Sequence, residues 1–180
     1  MEIILKQLFK NNPQRFDKFL VDKEADFAYV SKDDTAYRVN AFLKTGRIGV
    51  VMRKINSVPR ILDEIMFQNT ADAIKKQVLN SQKGLFLVTG PTGSGKSTSI
   101  VAMLEEINKN RPYHIITIED PIEYVFLAKK ALISQREIGH DTWSFDNAIK
   151  SALREDPDVI FVGEIRNRET AEAVLDLAET

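Results

Sequence analysis

The sequence contains no cysteine, and it has only two histidines and one tryptophan among its 180 residues. The absence of cysteine excludes disulfide bonds and thiolate metal sites within this chain, and it is typical of proteins from reducing compartments. An excess of charge of one sign is also missing, because 25 Lys and Arg residues nearly balance 26 Asp and Glu residues to give a net charge of -1. We therefore expect no bulk electrostatic attraction to nucleic acid or to an anionic membrane.

Long apolar runs are absent as well. The first stretch, MEIILKQLFKNN, is interrupted by Glu2 and Lys6 and has no small-residue cleavage site. No uninterrupted apolar segment approaches the roughly 20 residues that a membrane-spanning helix needs. We therefore expect a cytoplasmic chain with neither an export signal nor a membrane anchor.

What the sequence does contain predicts a folded protein. Hydrophobic residues make up 43% of the chain and charged residues 28%, close to the averages for soluble globular proteins. Residues 1–54 alternate short helical and strand patterns, and the clearest strands are AYRVNAFL and RIGVVMR, in which alternate residues are apolar. These patterns predict a small α+β domain at 1–54.

The pattern changes beyond this small domain. Pro59 and the weak periodicity around it indicate a linker at 55–70. From 71 to 180, helices and strands alternate in the order typical of a parallel α/β sheet. The predicted strands are GLFLVTG, HIITIE and DVIFVG. The predicted helices are ADAIKKQVLNSQ, SGKSTSIVAMLEEINKN, a helix starting at DPIE, SFDNAIKSALRED and RETAEAVLDLAET. Ser144 is the predicted N-cap of the fourth of these helices and Asn167 that of the fifth.

The strongest motif is GPTGSGKS, which matches the P-loop pattern G-x-x-x-x-G-K-[ST] between a predicted strand and a predicted helix. Its glycines permit a backbone that turns N–H groups inward, and the helix that follows adds the positive end of its dipole. Lys96 is expected to reach the β and γ phosphates of ATP, and the Ser97 hydroxyl to ligate Mg²⁺. The alternative is a glycine-rich turn that binds nothing. The predicted nucleotide-binding residues are Gly90, Pro91, Thr92, Gly93, Ser94, Gly95, Lys96, Ser97 and Thr98.

Two carboxylates follow predicted strands. Glu164 ends DVIFVGE, and we predict that it polarises the water that attacks the γ phosphate, although a surface carboxylate at the start of a loop is the alternative. Glu119 ends HIITIE, and its strand should point at the same crevice. We assign Glu119 to Mg²⁺ or to the water shell of the ion, and keep it as the alternative catalytic base.

The carboxylates of Asp120 and Glu123 have a structural explanation. In DPIE, Asp120 suits the N-cap of a helix, Pro121 the first helical position and Glu123 the third. Helix capping and a role in the site are therefore both open for this pair.

Taken together, the sequence motifs resemble those of a known family. GLFLVTGPTGSGKST, HIITIEDPIEY, ISQREIGHDTWSF and ALREDPDVIFVGEIRN together are similar to the secretion and type IV pilus ATPases, and QREIGHDTWSF looks most like the pilus retraction ATPases that power twitching motility. The resemblance implies a partial PAS-like small domain followed by the front half of a RecA-like P-loop ATPase domain. EDPIEY and VGEIRN correspond to the Asp box and the Walker B motif of that family, which agrees with the roles given to Glu119 and Glu164.

The same resemblance implies how the protein works. YRVNAF and VVMRKI match segments whose arginines reach the nucleotide of a neighbouring subunit, which makes Arg38 and Arg53 candidate catalytic residues. Exposed strand arginines paired with nearby carboxylates are the alternative. The implied assembly is a homo-hexamer that hydrolyses Mg-ATP, contacts a pilus platform protein of the inner membrane at its cytoplasmic face, and retracts the pilus.

The sequence also departs from the family. Asn167 stands where aspartate is usual, and members are about twice as long, with a His box beyond AET. We therefore expect a fragment or a reduced relative, which binds nucleotide, turns it over slowly and forms no stable hexamer. A pilus-assembly or type II secretion ATPase and a nucleotide-binding module without turnover are open alternatives. A nucleic-acid-driven motor is a third, although the sequence shows no basic, aromatic strand-binding groove.

Overall fold

The structure, a computed structural model, describes residues 2–10, 13–33, 35–55 and 59–179. The amino-terminal unit, residues 2–55, has two helices, α1 (Glu2–Leu8) and α2 (Pro13–Asp22), and three strands, β1 (Glu24–Val30), β2 (Ala36–Lys44) and β3 (Arg47–Lys54). The strands form an antiparallel sheet in the order β1-β2-β3. The predicted strands AYRVNAFL and RIGVVMR are confirmed as β2 and β3.

Aromatic packing holds this unit together. Phe9 of the segment after α1 lies 4.5 Å, centroid to centroid, from Phe27 of β1, a separation at which tilted rings attract each other. Thr45 and Gly46, both with positive φ, form the two-residue turn between β2 and β3, the geometry that matches the twist of a hairpin. The buried core comprises Leu5, Phe9, Phe19, Phe27, Val39 and Ala41.

The carboxy-terminal unit, residues 59–179, is built on a parallel sheet. Its helices are α3 (Leu62–Ile65), α4 (Gln68–Gln77), α5 (Lys96–Asn110), α6 (Phe145–Ala152) and α7 (Arg168–Glu179), and its strands are β4 (His114–Glu119), β5 (Leu132–Glu137) and β6 (Val159–Val162). The strand order is β5-β4-β6. The predicted α/β class with a small α+β unit ahead of it is confirmed.

The central strand β4 is buried on both faces. Ile115 packs with Val101 and Leu104 of α5 on one face, and Ile116 and Ile118 pack with α6 and α7 on the other. This two-sided burial explains the continuous apolar run of HIITIE, because parallel strands covered by helices on both faces have no polar side.

Several predicted helix ends are also confirmed. The Ser144 hydroxyl accepts a hydrogen bond from the N–H of Asn147 at the start of α6. The side chain of Asn167 accepts one from the N–H of Thr170 at the start of α7. Helix α4 begins at Gln68, earlier than the predicted Ala71. None of the helices in the described ranges is long and apolar enough to cross a membrane.

Two predicted elements are wrong. Residues 84–90 form no strand, and the side chains of Leu85, Phe86 and Leu87 are 41 to 59% exposed. An apolar run becomes a strand only when a neighbour completes its hydrogen bonds, and no strand of the described chain pairs with it. The predicted helix at DPIE is absent too, because the N–H groups of Ile122 and Glu123 bind the carboxylates of Glu137 and Glu119 rather than an N-cap at Asp120.

The segment predicted as a linker, 55–70, contains α3 and the start of α4, whereas its residues 56–58 lie outside the described residues. Leu62 of α3 and Ala71 of α4 are fully buried against Ala102 and Met103 of α5. The part of this segment after Ile61 therefore packs on the carboxy-terminal unit.

Candidate active site

The glycines of the P-loop adopt the backbone that the motif requires. Gly93 and Gly95 have φ values of 81° and 90°, in the left-handed region that residues with a Cβ avoid. Gly95 is the N-cap of α5 and offers no side chain to the first turn, so the N–H groups there have no side-chain cap and are available to bind an anion. A Cβ on Gly93 or Gly95 would meet no atom within 4 Å, so there is open space beside the loop for a ligand.

Lys96 lies over this loop. Its Nζ is 2.9 Å from the carbonyl oxygen of Gly90 and 3.0 Å from that of Pro91, and it donates hydrogen bonds to both. The ammonium group is thereby fixed at the mouth of the loop, where phosphate oxygens would compete with those carbonyls for it. Ser97 and Thr98 lie in the first turn of α5.

The direction of α5 brings the P-loop to the carboxyl edge of the sheet. At the other end of α5, the carbonyl oxygen of Asn108 accepts hydrogen bonds from the N–H groups of Lys130 and Ala131, just before β5. Helix α5 has 15 residues and is about 22 Å long, whereas β4 has six residues and is about 20 Å long. The helix therefore spans the sheet, and its first turn lies toward the edge at which Glu119 ends β4.

Glu119 is buried, with 5% of its surface exposed. Its Oε1 accepts hydrogen bonds from the Thr117 hydroxyl at 2.7 Å and the Gln135 amide at 3.4 Å, and its Oε2 accepts one from the N–H of Glu123 at 3.2 Å. Burial raises the pKa of the Glu119 carboxyl above its ordinary value, and these hydrogen bonds partly offset that rise.

Glu164 lies two residues beyond the paired ends of β4 and β6, and Gly163, which precedes it, lies beside Glu119. The N–H of Gly163 donates to the carbonyl of Ile118 at 2.8 Å, and a Cβ on Gly163 would come within 3.4 Å of the Glu119 Cα. Oε1 of Glu164 is 2.7 Å from Nη2 of Arg166. That contact lacks hydrogen-bond geometry, so this buried oxygen accepts no hydrogen bond from the described residues.

The two candidate arginines lie side by side. Arg38 of β2 and Arg53 of β3 are directly opposite each other in the antiparallel register, an arrangement of like charges that costs stability unless an anion offsets it. Arg38 Nη1 is 3.6 Å from Glu123 Oε1 within the same chain. Arg53 has no carboxylate within 4.0 Å among the described residues. Arg38 thus has the nearby carboxylate that is expected of an arginine paired on the surface of its own chain. Arg53 has no such carboxylate among the described residues.

One carboxylate at this edge, that of Glu137, is not predicted from the sequence. Glu137 ends β5 and is paired in register with Glu119. It is 2% exposed and accepts hydrogen bonds from Arg15 and from two backbone N–H groups. The available signal was a third strand end, but LISQRE carries too many polar residues to indicate a strand from periodicity alone.

A metal ion would find few protein ligands here. The described residues contain no group of three or more His, Asp or Glu side chains that could hold one. Magnesium at phosphates commonly uses only one or two protein ligands beside water and phosphate oxygens. The Ser97 hydroxyl and the Glu119 carboxylate fit that pattern in type and number.

A parallel sheet whose strand-end carboxylates share an edge with a P-loop defines the class of P-loop α/β proteins. The chain belongs to the Type II/IV secretion system protein family, whose sequence profile matches residues 27–180.

The relatives agree with this assignment. The chain is 46% identical over 172 residues to the type IV pilus retraction ATPase PilT of Pseudomonas aeruginosa, across 94% of this chain and 48% of the relative. It is 51% identical over 158 residues to a twitching motility protein of Neisseria gonorrhoeae, across 87% of this chain and 41% of that protein. The crystal structure of the pilus retraction motor PilT with bound ADP matches with a TM-score of 0.83 and 44% identity, across 91% of this chain and 47% of that one. The chain therefore spans about half the length of the relatives it matches.

Proposed function

We propose that this chain binds Mg-ATP and hydrolyses it as part of a motor that retracts type IV pili. The observation that carries the proposal is the P-loop at the first turn of α5, because the length and direction of this helix put that turn toward the sheet edge at which Glu119 ends β4. The two relatives named for pilus retraction and twitching motility support the motor class.

The phosphates are held by groups of the P-loop. The N–H groups of the loop and of the first turn of α5 bind phosphate oxygens, and Lys96 transfers its ammonium hydrogen bonds from the Gly90 and Pro91 carbonyls to the β and γ phosphates. Ser97 and Glu119 would hold the metal ion or its water shell. Mg²⁺, when bound, supplies positive charge that neutralises the phosphates.

The two carboxylates differ in what they can do for water. Glu119 already accepts hydrogen bonds on both oxygens, whereas Oε1 of Glu164 accepts none from the described residues. Oε1 itself is buried 2.7 Å from Arg166, but the Glu164 side chain as a whole is 34% exposed, so water reaches Glu164 more readily than Glu119, which is 5% exposed. We assign the role of orienting the attacking water to Glu164 and keep Glu119 as the alternative base.

Arg38 and Arg53 would complete the site of a neighbouring subunit in a homo-hexamer. The ion pair between Arg38 and Glu123 is half exposed and long, so it is worth little and Arg38 can leave it at small cost. Charge donated across an interface stabilises the transition state and contributes about 10³ to 10⁵ in turnover in P-loop enzymes. The ring would work at the cytoplasmic face of the inner membrane against a pilus platform protein.

The family description also covers secretion systems. Pilus assembly or type II secretion by the same ATPase chemistry is thus the second candidate. Neither candidate needs nucleic acid as a partner.

Titration with a fluorescent ATP analogue tests the nucleotide site. The substitution Lys96→Ala should weaken binding strongly, because it removes the only ammonium group of the motif, while circular dichroism shows an unchanged fold. Lys76→Ala is the matched control, since Lys76 is an exposed lysine of α4 outside the motif. Equal affinity of the Lys96→Ala and Lys76→Ala variants for the ATP analogue would show that the P-loop does not bind the nucleotide.

A further inference from the structure

Glu137 joins three separate elements through one buried carboxylate. Its Oε1 is 3.0 Å from Nη1 of Arg15 in α2. Its Oε2 accepts a hydrogen bond from the N–H of Ala28 in β1 at 3.0 Å and another from the N–H of Ile122 at 3.2 Å. Two of these three donors belong to the amino-terminal unit, and the third belongs to the segment that follows β4.

The contact with the amino-terminal unit is firmly anchored on its far side. Arg15 also donates to the carbonyl oxygen of Asp26 at 2.6 Å, and its guanidinium lies 5.2 Å from the centre of the Phe27 ring. Arg15 is therefore fixed to β1 before it reaches Glu137. Because Glu137 is almost fully buried, loss of either partner would leave a charge without compensation in a poorly solvated place.

The same carboxylate acts on the candidate active site. Glu137 and Glu119 are paired in register at the ends of β5 and β4, and they bind consecutive backbone groups, the N–H of Ile122 and the N–H of Glu123. The Glu123 side chain in turn meets Arg38. The segment after Glu119 is thus held by Glu137 at one residue and by Glu119 at the next.

We propose that Glu137 is a positioning residue that couples docking of the amino-terminal unit to the placement of Glu119. When Arg15 and Ala28 engage Glu137, the carboxylate is oriented to hold Ile122, and the neighbouring N–H of Glu123 is presented to Glu119. When the amino-terminal unit moves away, Glu137 loses two of its three donors and the hold on Ile122 weakens. The role given to Glu119 rests on the proposed function, whereas the docking contact does not.

The first experiment measures docking without nucleotide. Because the chain has no cysteine, spin labels can be attached at Asp17→Cys on α2 and Lys150→Cys on α6, both exposed positions. Electron paramagnetic resonance should give one narrow distance distribution for the otherwise unchanged chain. Glu137→Gln should broaden this distance distribution or add a longer distance, and Arg15→Met should do the same. Because Arg15 lies outside the parallel sheet, Arg15→Met still tests the contact if Glu137→Gln folds poorly.

Glu155→Gln is the matched control. Glu155 forms an ion pair with Arg136 at 3.1 Å, but both partners belong to the carboxy-terminal unit. The distance distribution of this variant should equal that of the unchanged chain. An unchanged distribution in both Glu137→Gln and Arg15→Met would overturn the docking role.

The second experiment separates positioning from binding. In single-turnover phosphate release with saturating Mg-ATP, Glu137→Gln and Arg15→Met should each lower the rate of the chemical step by about ten- to a hundredfold, the range expected when a reacting group is displaced rather than removed. The affinity for a fluorescent ATP analogue should stay within about threefold, because neither residue touches the P-loop. The double variant should be no slower than the slower single variant.

The possible failures are distinguishable. If both variants broaden the distances yet release phosphate like Glu155→Gln, docking is real but the coupling to Glu119 is wrong. If the unchanged chain binds no ATP analogue, the proposed function fails and the coupling with it, whereas the distance measurement still decides the docking contact.

Discussion

Replacing Gly163 with alanine would place a methyl group between the strands that carry the two candidate catalytic carboxylates, Glu119 and Glu164. The added Cβ would lie 3.2 Å from the carbonyl oxygen of Ile118 and 3.4 Å from the Cα of Glu119. The first distance is shorter than an ordinary van der Waals contact, so β4 and the end of β6 must move apart by a few tenths of an ångström.

The expected cost in stability is small. Overpacking of this kind destabilises the fold by about 1–3 kcal/mol. Alanine also reduces the conformational freedom of the unfolded chain, which stabilises the fold by about 0.4–1 kcal/mol because Gly163 has an ordinary backbone conformation. The free energy of unfolding should therefore fall by about 0–2.6 kcal/mol, the difference between these two ranges. Gly163→Val, with a larger side chain at the same place, should lose more.

The expected cost in catalysis is larger, because the spacing of Glu119 and Glu164 changes directly. We expect Gly163→Ala to lower phosphate release by about ten- to a hundredfold, with little change in the affinity for an ATP analogue. Urea denaturation and single-turnover phosphate release measure the two effects in one preparation. Hydrolysis at the normal rate in Gly163→Ala, or equal effects of alanine and valine, would refute the steric argument.

Three further predictions concern the other residues of the site. In a full-length relative, Glu164→Gln should keep ATP binding and nearly stop hydrolysis, whereas Glu119→Gln should shift the Mg²⁺ dependence, and the reverse result in the phosphate-release assay would exchange their roles. Because burial raises the folded-state pKa of Glu119, the stabilisation linked to its protonated form is complete below the unfolded pKa and is lost as pH rises through the folded pKa. Glu119→Gln should remove that part of the pH dependence in urea denaturation, and an identical pH profile in both proteins would contradict it. If Arg38 and Arg53 act across a subunit interface, then in a full-length relative that forms a ring, mixing inactive Lys96→Ala subunits with inactive Arg38→Ala, Arg53→Ala subunits should restore phosphate release, whereas no recovery in mixed oligomers would contradict action across the interface.

Local signals in the sequence predicted the elements whose information is local. The alternation in AYRVNAFL and RIGVVMR, the Ser144 cap of α6 and the Asn167 cap of α7 depend on neighbouring residues, and all four appear in the structure. The P-loop is similar, since the positive φ values of Gly93 and Gly95 follow from the motif itself.

The elements that failed depend on distant partners. DPIE has the sequence of a helix start, but Glu119 and Glu137 capture the N–H groups that a helix would use. The residue assignments of the site were limited in the same way. Glu119 and Glu164 could be proposed because each ends an apolar run, whereas Glu137 ends a polar strand whose existence depends on its pairing with β4.

The strand β6 has a bearing on how the protein behaves in concentrated solution. It lies at the edge of the parallel sheet among the described strands, with pairing on one side only, and the apolar residues Leu85, Phe86 and Leu87 are exposed elsewhere in the same unit. An unpaired strand edge and an exposed apolar segment of high strand propensity both favour the growth of intermolecular β-sheets. Self-association of this chain should therefore begin at the edge of β6 and at the exposed segment 85–87. A lysine in place of Phe86 should raise the solubility of the chain more than a lysine introduced on the polar face of α7.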